Sequence, residues 1–221
     1  MGSEGRREQT FKTDQDNALI YPDLPEEELN RAKDYFSGFA EFVADALERC
    51  GYPRCPGGYM ATNPRYRLPL TAWQQTFEVW IDEAEYHATE DATILFDMRP
   101  VAGDLTLCEK LWSYVGERLK TASFFKSILG NIAVGRKPPL GFFRTFVVER
   151  SGEHKEELDI KSFGTGPIVD AARLFALDAG INQTNTGDRL AALQAAGYPE
   201  GTTLTDMQEA FEYLTLLRLE N

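Results

Sequence analysis

Hydrophobic positions in the first third of the chain follow a strand pattern and then a helical one. The uninterrupted apolar run from Ala18 to Tyr21 predicts a short buried strand. Apolar residues then recur every three or four positions, which predicts an amphipathic helix from Glu26 to about Gly51. The spacing of three aromatic residues predicts a second helix from Thr71 to about Asp82. We therefore expect a long helix packed on a strand at the start of the fold.

The segment between these two helices differs in composition from the rest of the chain. Residues 51–69 are rich in Gly, Pro, Tyr and Arg, and they include no acidic residue although the chain as a whole is acidic. This composition predicts an exposed functional loop or a short irregular strand.

Beyond about residue 90 the pattern is mainly helical. Residues Ile94 to Val101 suit either a strand or the start of a long helix kinked at Pro100, and we expect the helix. Two segments, Phe142 to Arg150 and Leu158 to Ile160, flank a polar turn and predict a small β-hairpin. Further helices are predicted over Leu107–Leu119, Phe124–Val134, Pro167–Ala179, Thr186–Ala196 with Thr186 as its cap, and Thr205–Leu219.

The change of pattern near residue 90 divides the chain. With 221 residues it can form one large or two small domains. We predict an α+β fold in two domains: residues 1–85 hold the strand and the long helix, and residues 86–221 form an all-helical bundle with the small hairpin.

Charge and composition narrow the classes of function. The formal net charge of −12 argues against a large nucleic-acid interface, because nucleic-acid binders usually carry a basic face. No apolar run is long enough to cross a bilayer and no signal segment begins the chain, so we expect a cytoplasmic protein that does not contact a membrane. Cys50 and Cys55 are closely spaced, but His87 and His154 lie far away in sequence, and no zinc site is predicted.

Candidate chemistry is concentrated at the start of the chain. Asp14 and Asp16 stand at the entrance of the predicted strand, where alternate side chains point to the same face. Two neighbouring carboxylates repel each other, and a divalent cation between them relieves that repulsion. The Gly2–Ser3 turn upstream allows close backbone approach to an anion. A solvated turn explains Asp-x-Asp alone, but the added Gly-Ser turn and the following strand favour a site for a triphosphate and a metal.

These stretches carry a resemblance to a known family. Residues 2–10, Gly-Ser-Glu-Gly-Arg-Arg-Glu-Gln-Thr, and 13–21, Thr-Asp-Gln-Asp-Asn-Ala-Leu-Ile-Tyr, resemble the signature of the DNA polymerase β-like nucleotidyltransferase superfamily. Within it they resemble the family found after cyclic-nucleotide-binding and CBS domains in bacterial signal-transduction proteins, which is related to the PII uridylyltransferase domain. The later stretches 96–104, 138–144 and 167–173 look like that family's C-terminal helical substrate-binding domain, so the resemblance covers essentially the whole chain.

The resemblance implies a role for each matching residue. Gly2 and Ser3 would contact the nucleoside triphosphate, and Asp14 and Asp16 would hold Mg2+ and serve catalysis. The reaction would be in-line attack on the α-phosphate with pyrophosphate as leaving group.

The resemblance also bears on three further charged residues. Arg6 is expected to offer a bidentate fork to phosphate, oriented by Glu8, or to form a surface ion pair with Glu8. The superfamily usually has a third carboxylate on a later strand, and Asp97 is the candidate for it here. Alternatively, Asp97 pairs with Arg99 or lines the cleft.

The expected function is transfer of a nucleoside monophosphate to an acceptor, which the resemblance implies is a regulatory protein of the PII type. In the superfamily a helix and a strand precede the Gly-Ser turn, so we expect this domain to be incomplete at its N-terminus and the chain to derive from a longer protein with upstream sensor domains. A regulatory module that binds nucleotide or a partner without turnover is the alternative. A minimal nucleotidyltransferase of the toxin–antitoxin type fits less well, because the C-terminal helical domain is large.

Overall fold

A computed structural model of the chain describes residues 1–11, 13–83, 93–136, 148, 157–200 and 203–220. These residues are mostly helical and include a two-stranded parallel sheet, which confirms the α+β class. The elements in chain order are α1 (Gly2–Gly5), β1 (Leu19–Tyr21), α2 (Glu26–Arg49), β2 (Arg67–Pro69), α3 (Leu70–Glu83), α4 (Leu105–Leu119), α5 (Ser123–Gly135), α6 (Gly166–Asp178), α7 (Thr186–Ala196) and α8 (Leu204–Glu220).

The described residues form two compact units. Residues 1–11, 13–83 and 93–121 belong to the first unit, and the later residues from 122 onwards belong to the second. The segment 93–121 packs with the first unit, whereas the division drawn from the sequence assigned it to the second domain. The division into domains 1–85 and 86–221 stays a prediction.

In the first unit, α2 connects two parallel strands. β1 pairs with β2 in the register Leu19 to Arg67 and Tyr21 to Pro69, and a parallel pair requires such a crossover between its strands. Three glutamates occupy the first turn of α2 and Arg49 its last turn, which suits the helix dipole at both ends. Tyr21 stacks on Phe36 of α2 with ring centroids 4.5 Å apart, so the helix covers the strand as the sequence predicts.

An aromatic cluster forms the core between α3 and α4. The ring of the fully buried Phe77 packs against four other aromatic rings. The indole nitrogen of Trp73, also fully buried, donates to the Leu19 carbonyl at 2.9 Å and so ties this cluster to β1. The rings around Phe77 are those of Trp73, Trp80, Phe96 and Trp112.

The expectation of a long helix over Ile94 to Val101 is wrong. A single 3-10 turn, Leu95–Asp97, is followed by the extended residue Met98. Pro100 disfavours helical geometry in the residue before it and lacks an amide hydrogen of its own, so the turn cannot propagate. The indole of Trp112 donates to the Met98 carbonyl at 3.2 Å and holds the extended segment on α4.

The second unit is a helical assembly centred on α6, which contacts α5 and α7. Its helices agree with the predicted ones to within three residues, but the predicted cap of α7 is wrong. Asn185, rather than Thr186, caps this helix by accepting from the Asp188 amide at 3.0 Å. One buried apolar cluster of this unit consists of Ala172, Leu190, Leu193 and Leu204.

The predicted hairpin falls largely outside the described residues. Of its first strand, Phe142 to Arg150, only Val148 is described, and its turn is not. Leu158 to Ile160 is described and forms no strand there; it leads into a π-helical turn, Lys161–Thr165. No helix in the described ranges is both long and apolar enough to span a bilayer.

Gly5 is the residue of α1 that lies against the main chain of Asp97. A Cβ placed on Gly5 would lie 1.6 Å from the Asp97 carbonyl oxygen and 2.8 Å from its carbon, both main-chain atoms. We expect Gly5→Ala to lower the free energy of unfolding of the first unit by about 3 kcal/mol, the upper part of the range for overpacked sites. Urea unfolding followed by tryptophan fluorescence measures this unit, since Trp73, Trp80 and Trp112 all lie in it.

Gly38 provides the matched control. It lies within α2, and an added Cβ meets nothing within 4 Å. Gly38→Ala should raise the stability by up to about 1 kcal/mol, because alanine is the better helix former. Equal effects of the two substitutions would contradict the packing of Gly5 against Asp97.

Candidate metal and nucleotide site

The segment that carries the two candidate aspartates is anchored by the residue between them. Gln15 forms a parallel bridge with Arg54, and its amide donates to the Pro53 carbonyl at 3.0 Å. Its buried side-chain nitrogen donates to the carbonyl of Ala44 in α2 at 3.0 Å and to that of Tyr52 at 2.7 Å. Gln15 therefore fixes the segment against both α2 and the chain that follows this helix.

Asn17 repeats this anchoring two residues later. Its amide donates to the Tyr59 carbonyl at 3.0 Å, and its side-chain oxygen accepts from the Ala61 amide at 2.9 Å. Since alternate residues of an extended segment face opposite ways, the anchoring of Gln15 and Asn17 turns Asp14 and Asp16 to the other face.

The aspartates meet a third donor that the sequence interpretation missed. The carboxylates of Asp14 and Asp16 and the thiol of Cys55 each offer a ligand atom, and these atoms lie within 4.8 Å of one another. All three residues are half-buried. We call this set the Asp-Asp-Cys group. The bridge between Gln15 and Arg54 places Asp16 beside Cys55, which explains how the two segments converge.

The surroundings of Cys55 favour its protonated thiol. The pKa of the Cys55 thiol is raised above its ordinary value, mainly because the thiol is buried. Its hydrogen bond to the Asp16 carboxylate raises this pKa further. Hydrogen bonds from the main chain at Tyr59 and Gly57 act in the opposite direction. The Cys55 thiol thus donates to the Asp16 carboxylate, whereas a cation bound there would favour the thiolate, because thiol ligands are deprotonated.

The neighbouring Arg54 holds the Cys55 segment on α2. Its guanidinium contacts Glu41 at 3.1 Å, Asp45 at 2.5 Å and Glu48 at 3.4 Å. These acids stand on one face of the helix, at intervals of four and three residues. Each exposed pair contributes little by itself, but the three act on one side chain and define its position.

Gly2, the first residue of α1, lies directly beside the Asp-Asp-Cys group. Gly2 has a φ of +55°, and a Cβ placed on it would be 3.3 Å from the Asp16 carboxylate oxygen Oδ2. Its amide donates to the Ile94 carbonyl at 3.1 Å, while the Met1 nitrogen donates to the Asp16 carbonyl at 2.7 Å. The structure therefore brings Gly2 together with Asp16, as the sequence pattern predicts. Ser3 follows in α1, and its carbonyl accepts from the Glu8 amide at 2.8 Å.

Arg6 and Asp97 form a separate ion-pair cluster. The Arg6 guanidinium contacts Glu8 at 2.6 Å through Nε and Asp97 at 2.5 Å through Nη1. The Asp97 side chain is completely buried and is not a member of the Asp-Asp-Cys group. Arg99 pairs with Glu4. Phosphate binding by Arg6 and catalysis by Asp97 stay predictions, and the pair of Arg6 with Glu8 is mostly buried instead of lying on the surface.

Comparison with known protein families gives two matches. Residues 1–87 match the model described as Putative nucleotidyltransferase DUF294. Residues 123–221 match the model described as Putative nucleotidyltransferase substrate binding domain. Comparisons with curated proteins and with solved structures gave no match.

The first match relates the N-terminal part to a family described as a putative nucleotidyltransferase. Together the two matches cover most of the chain, and they support its assignment to the DUF294 family with the accompanying substrate-binding domain. The family resemblance expected from the sequence is confirmed at this level.

The buried contact between Arg6 and Asp97 predicts strong energetic coupling. Arg6→Met leaves the Asp97 carboxylate buried without the guanidinium, and we expect a loss of about 3 kcal/mol in the free energy of unfolding. Adding Asp97→Asn should restore part of that loss, with a coupling energy of at least about 1 kcal/mol in a double-mutant cycle. Urea unfolding followed by tryptophan fluorescence measures all four variants. Additive effects would mean that this ion pair does not stabilise the unit.

Proposed function

We propose that the chain transfers a nucleoside monophosphate from a nucleoside triphosphate to an acceptor. The observation that carries this proposal is the position of the Gly2 main chain against the carboxylate of Asp16, which itself adjoins Asp14. Transfer of a nucleoside monophosphate from a triphosphate needs a close backbone approach beside a metal-binding carboxylate pair, because the phosphates and the metal share oxygens. The two family matches support the same class of reaction.

The two carboxylates fit Mg2+ as the cation. Mg2+ prefers oxygen ligands and is usually bound by one or two carboxylates together with substrate phosphates and water. In this role Asp14 and Asp16 supply the protein oxygens, and the nucleotide supplies the others. When bound, Mg2+ neutralises charge on the reacting phosphate and on the leaving pyrophosphate. The contribution of the chain is to orient the phosphates between Gly2, Ser3 and the carboxylates.

The acceptor in this proposal is a regulatory protein of the PII type, as the resemblance implies, and the nucleotide is then a uridine nucleotide. The match of residues 123–221 to a substrate-binding domain supports a dedicated binding region for one of the substrates. Upstream sensor domains in a longer parent protein and a cytoplasmic location belong to the same proposal.

One observation favours a second candidate function, a regulatory module that binds nucleotide without turnover. The buried Asp97 contacts Arg6 and is not in the Asp-Asp-Cys group, so the described residues hold two carboxylates with a thiol in that group, where the superfamily usually has three carboxylates. A base that activates the acceptor would then have to come from the partner.

Nucleotide titration tests the site assignment. Isothermal titration with each nucleoside triphosphate and Mg2+ should show metal-dependent binding, and Asp14→Asn with Asp16→Asn should weaken it at least about tenfold, or about 1.4 kcal/mol. The matched control is Asp34→Asn with Glu27→Gln, which makes the same change of charge at exposed positions of α2. Equal affinities of the two double variants would contradict the site.

Pyrophosphate release separates the two candidate functions. The chain is mixed with labelled nucleotide, Mg2+ and a purified PII-type protein. If the chain is a transferase, pyrophosphate should be released and the PII-type protein should become labelled. Nucleotide binding without release would favour the regulatory module.

A further inference from the structure

We propose that the Asp-Asp-Cys group binds a thiophilic divalent cation of the zinc class without any nucleotide, with Cys55 as the third protein ligand. The three ligand atoms lie within 4.8 Å of one another, and they come from two segments that the bridge at Gln15 aligns. A cation among them would need only small side-chain movements.

The donor chemistry determines which cation this group prefers. Zn2+ accepts cysteine sulfur and carboxylate oxygen together, commonly with three protein ligands and an open fourth position. Thiolate ligands favour zinc over magnesium, and Mg2+ gains little from sulfur because it prefers oxygen ligands. Two oxygens and one sulfur therefore make a complete protein ligand set for zinc, whereas Mg2+ must draw the rest of its ligands from phosphate and water.

The site is held by interactions outside its own ligands. Gln15 is buried and joined to the carbonyls of Ala44 and Tyr52, and Arg54 is joined to three acids of α2. These contacts fix the residues adjacent to each ligand. Binding of a cation therefore loses little further conformational entropy at these residues. Cys50 is not part of this set, since it is exposed and follows the last residue of α2.

If the chain binds a nucleotide as in the proposed function, the two cations compete for the same carboxylates. Both cations would use Asp14 and Asp16, so a zinc-class cation and Mg2+ with a nucleoside triphosphate would compete for one place. A rise in the zinc-class cation should then lower Mg2+-dependent nucleotide binding in the unaltered chain, and do so less in a variant that lacks the thiol.

Cobalt titration tests the metal site directly. Co2+ replaces zinc in such sites and gives a near-ultraviolet charge-transfer band when a thiolate binds it. The full reduced chain, titrated with Co2+ in the absence of nucleotide, should develop this band with one cation bound. Cys55→Ser should abolish the band and weaken Co2+ binding at least about tenfold, since even the loss of an outer-shell partner costs about 10- to 100-fold.

Two variants make the outcome specific. Cys50→Ser removes an exposed thiol five residues away and should leave both the band and the affinity unchanged. Asp14→Asn with Asp16→Asn should weaken Co2+ binding while the circular dichroism spectrum stays that of the unaltered chain.

Several results would overturn the inference. They are Co2+ binding without a thiolate band, a band that survives Cys55→Ser, and a band that disappears in Cys50→Ser. None of them contradicts the proposed nucleotide transfer, which is tested with Mg2+ and does not need the thiol. Conversely, a thiolate band in a chain that binds no nucleotide would support the metal site and contradict the proposed function.

Discussion

The hydrogen bonds of the buried Gln15 side-chain amide are the contacts on which the rest of the site depends. They join the segment of Asp14 and Asp16 to a carbonyl of α2 and to the chain that follows this helix. Because the amide is buried, leaving these hydrogen bonds unmade would cost free energy, and the segment keeps one register. A shift by one residue would turn both aspartates inward and expose the amide. The polar residue between the two acids thus determines which way the acids face.

Much of the fold follows from local patterns in the sequence. The continuous apolar run to Tyr21 and the regular spacing along α2 are local signals, and both elements form where they are predicted, with 3 residues in β1 and 24 in α2. The segment after Ile94 could not be assigned in this way, because its extended shape depends on Pro100 and on a hydrogen bond from Trp112, which is distant in sequence. The cap at Asn185 was missed because both it and the next residue are suitable capping types.

In the candidate site, too, one part could be predicted from local spacing and another part could not. Asp14 and Asp16 share one strand pattern, so their common direction could be predicted from spacing alone. The approach of Cys55 could not, since it depends on a bridge across about 40 residues between Gln15 and Arg54. Residues 51–69 contain no acidic residue, so carboxylate ligands are not predicted there. The signal that the sequence does offer is Cys55, the single cysteine of that segment.

The three carboxylates around Arg54 give the two halves of the site different responses to salt. The contacts of Arg54 with Glu41, Asp45 and Glu48 are exposed, and exposed ion pairs are weak and weaken further with salt. The hydrogen bonds of Gln15 are buried, and buried contacts are screened much less. We therefore expect rising ionic strength to weaken the hold of Arg54 on α2, next to Cys55, before it affects the hydrogen bonds of Gln15 between the aspartates. Cys55 is therefore the member of the Asp-Asp-Cys group whose position depends on the ionic strength of the solution.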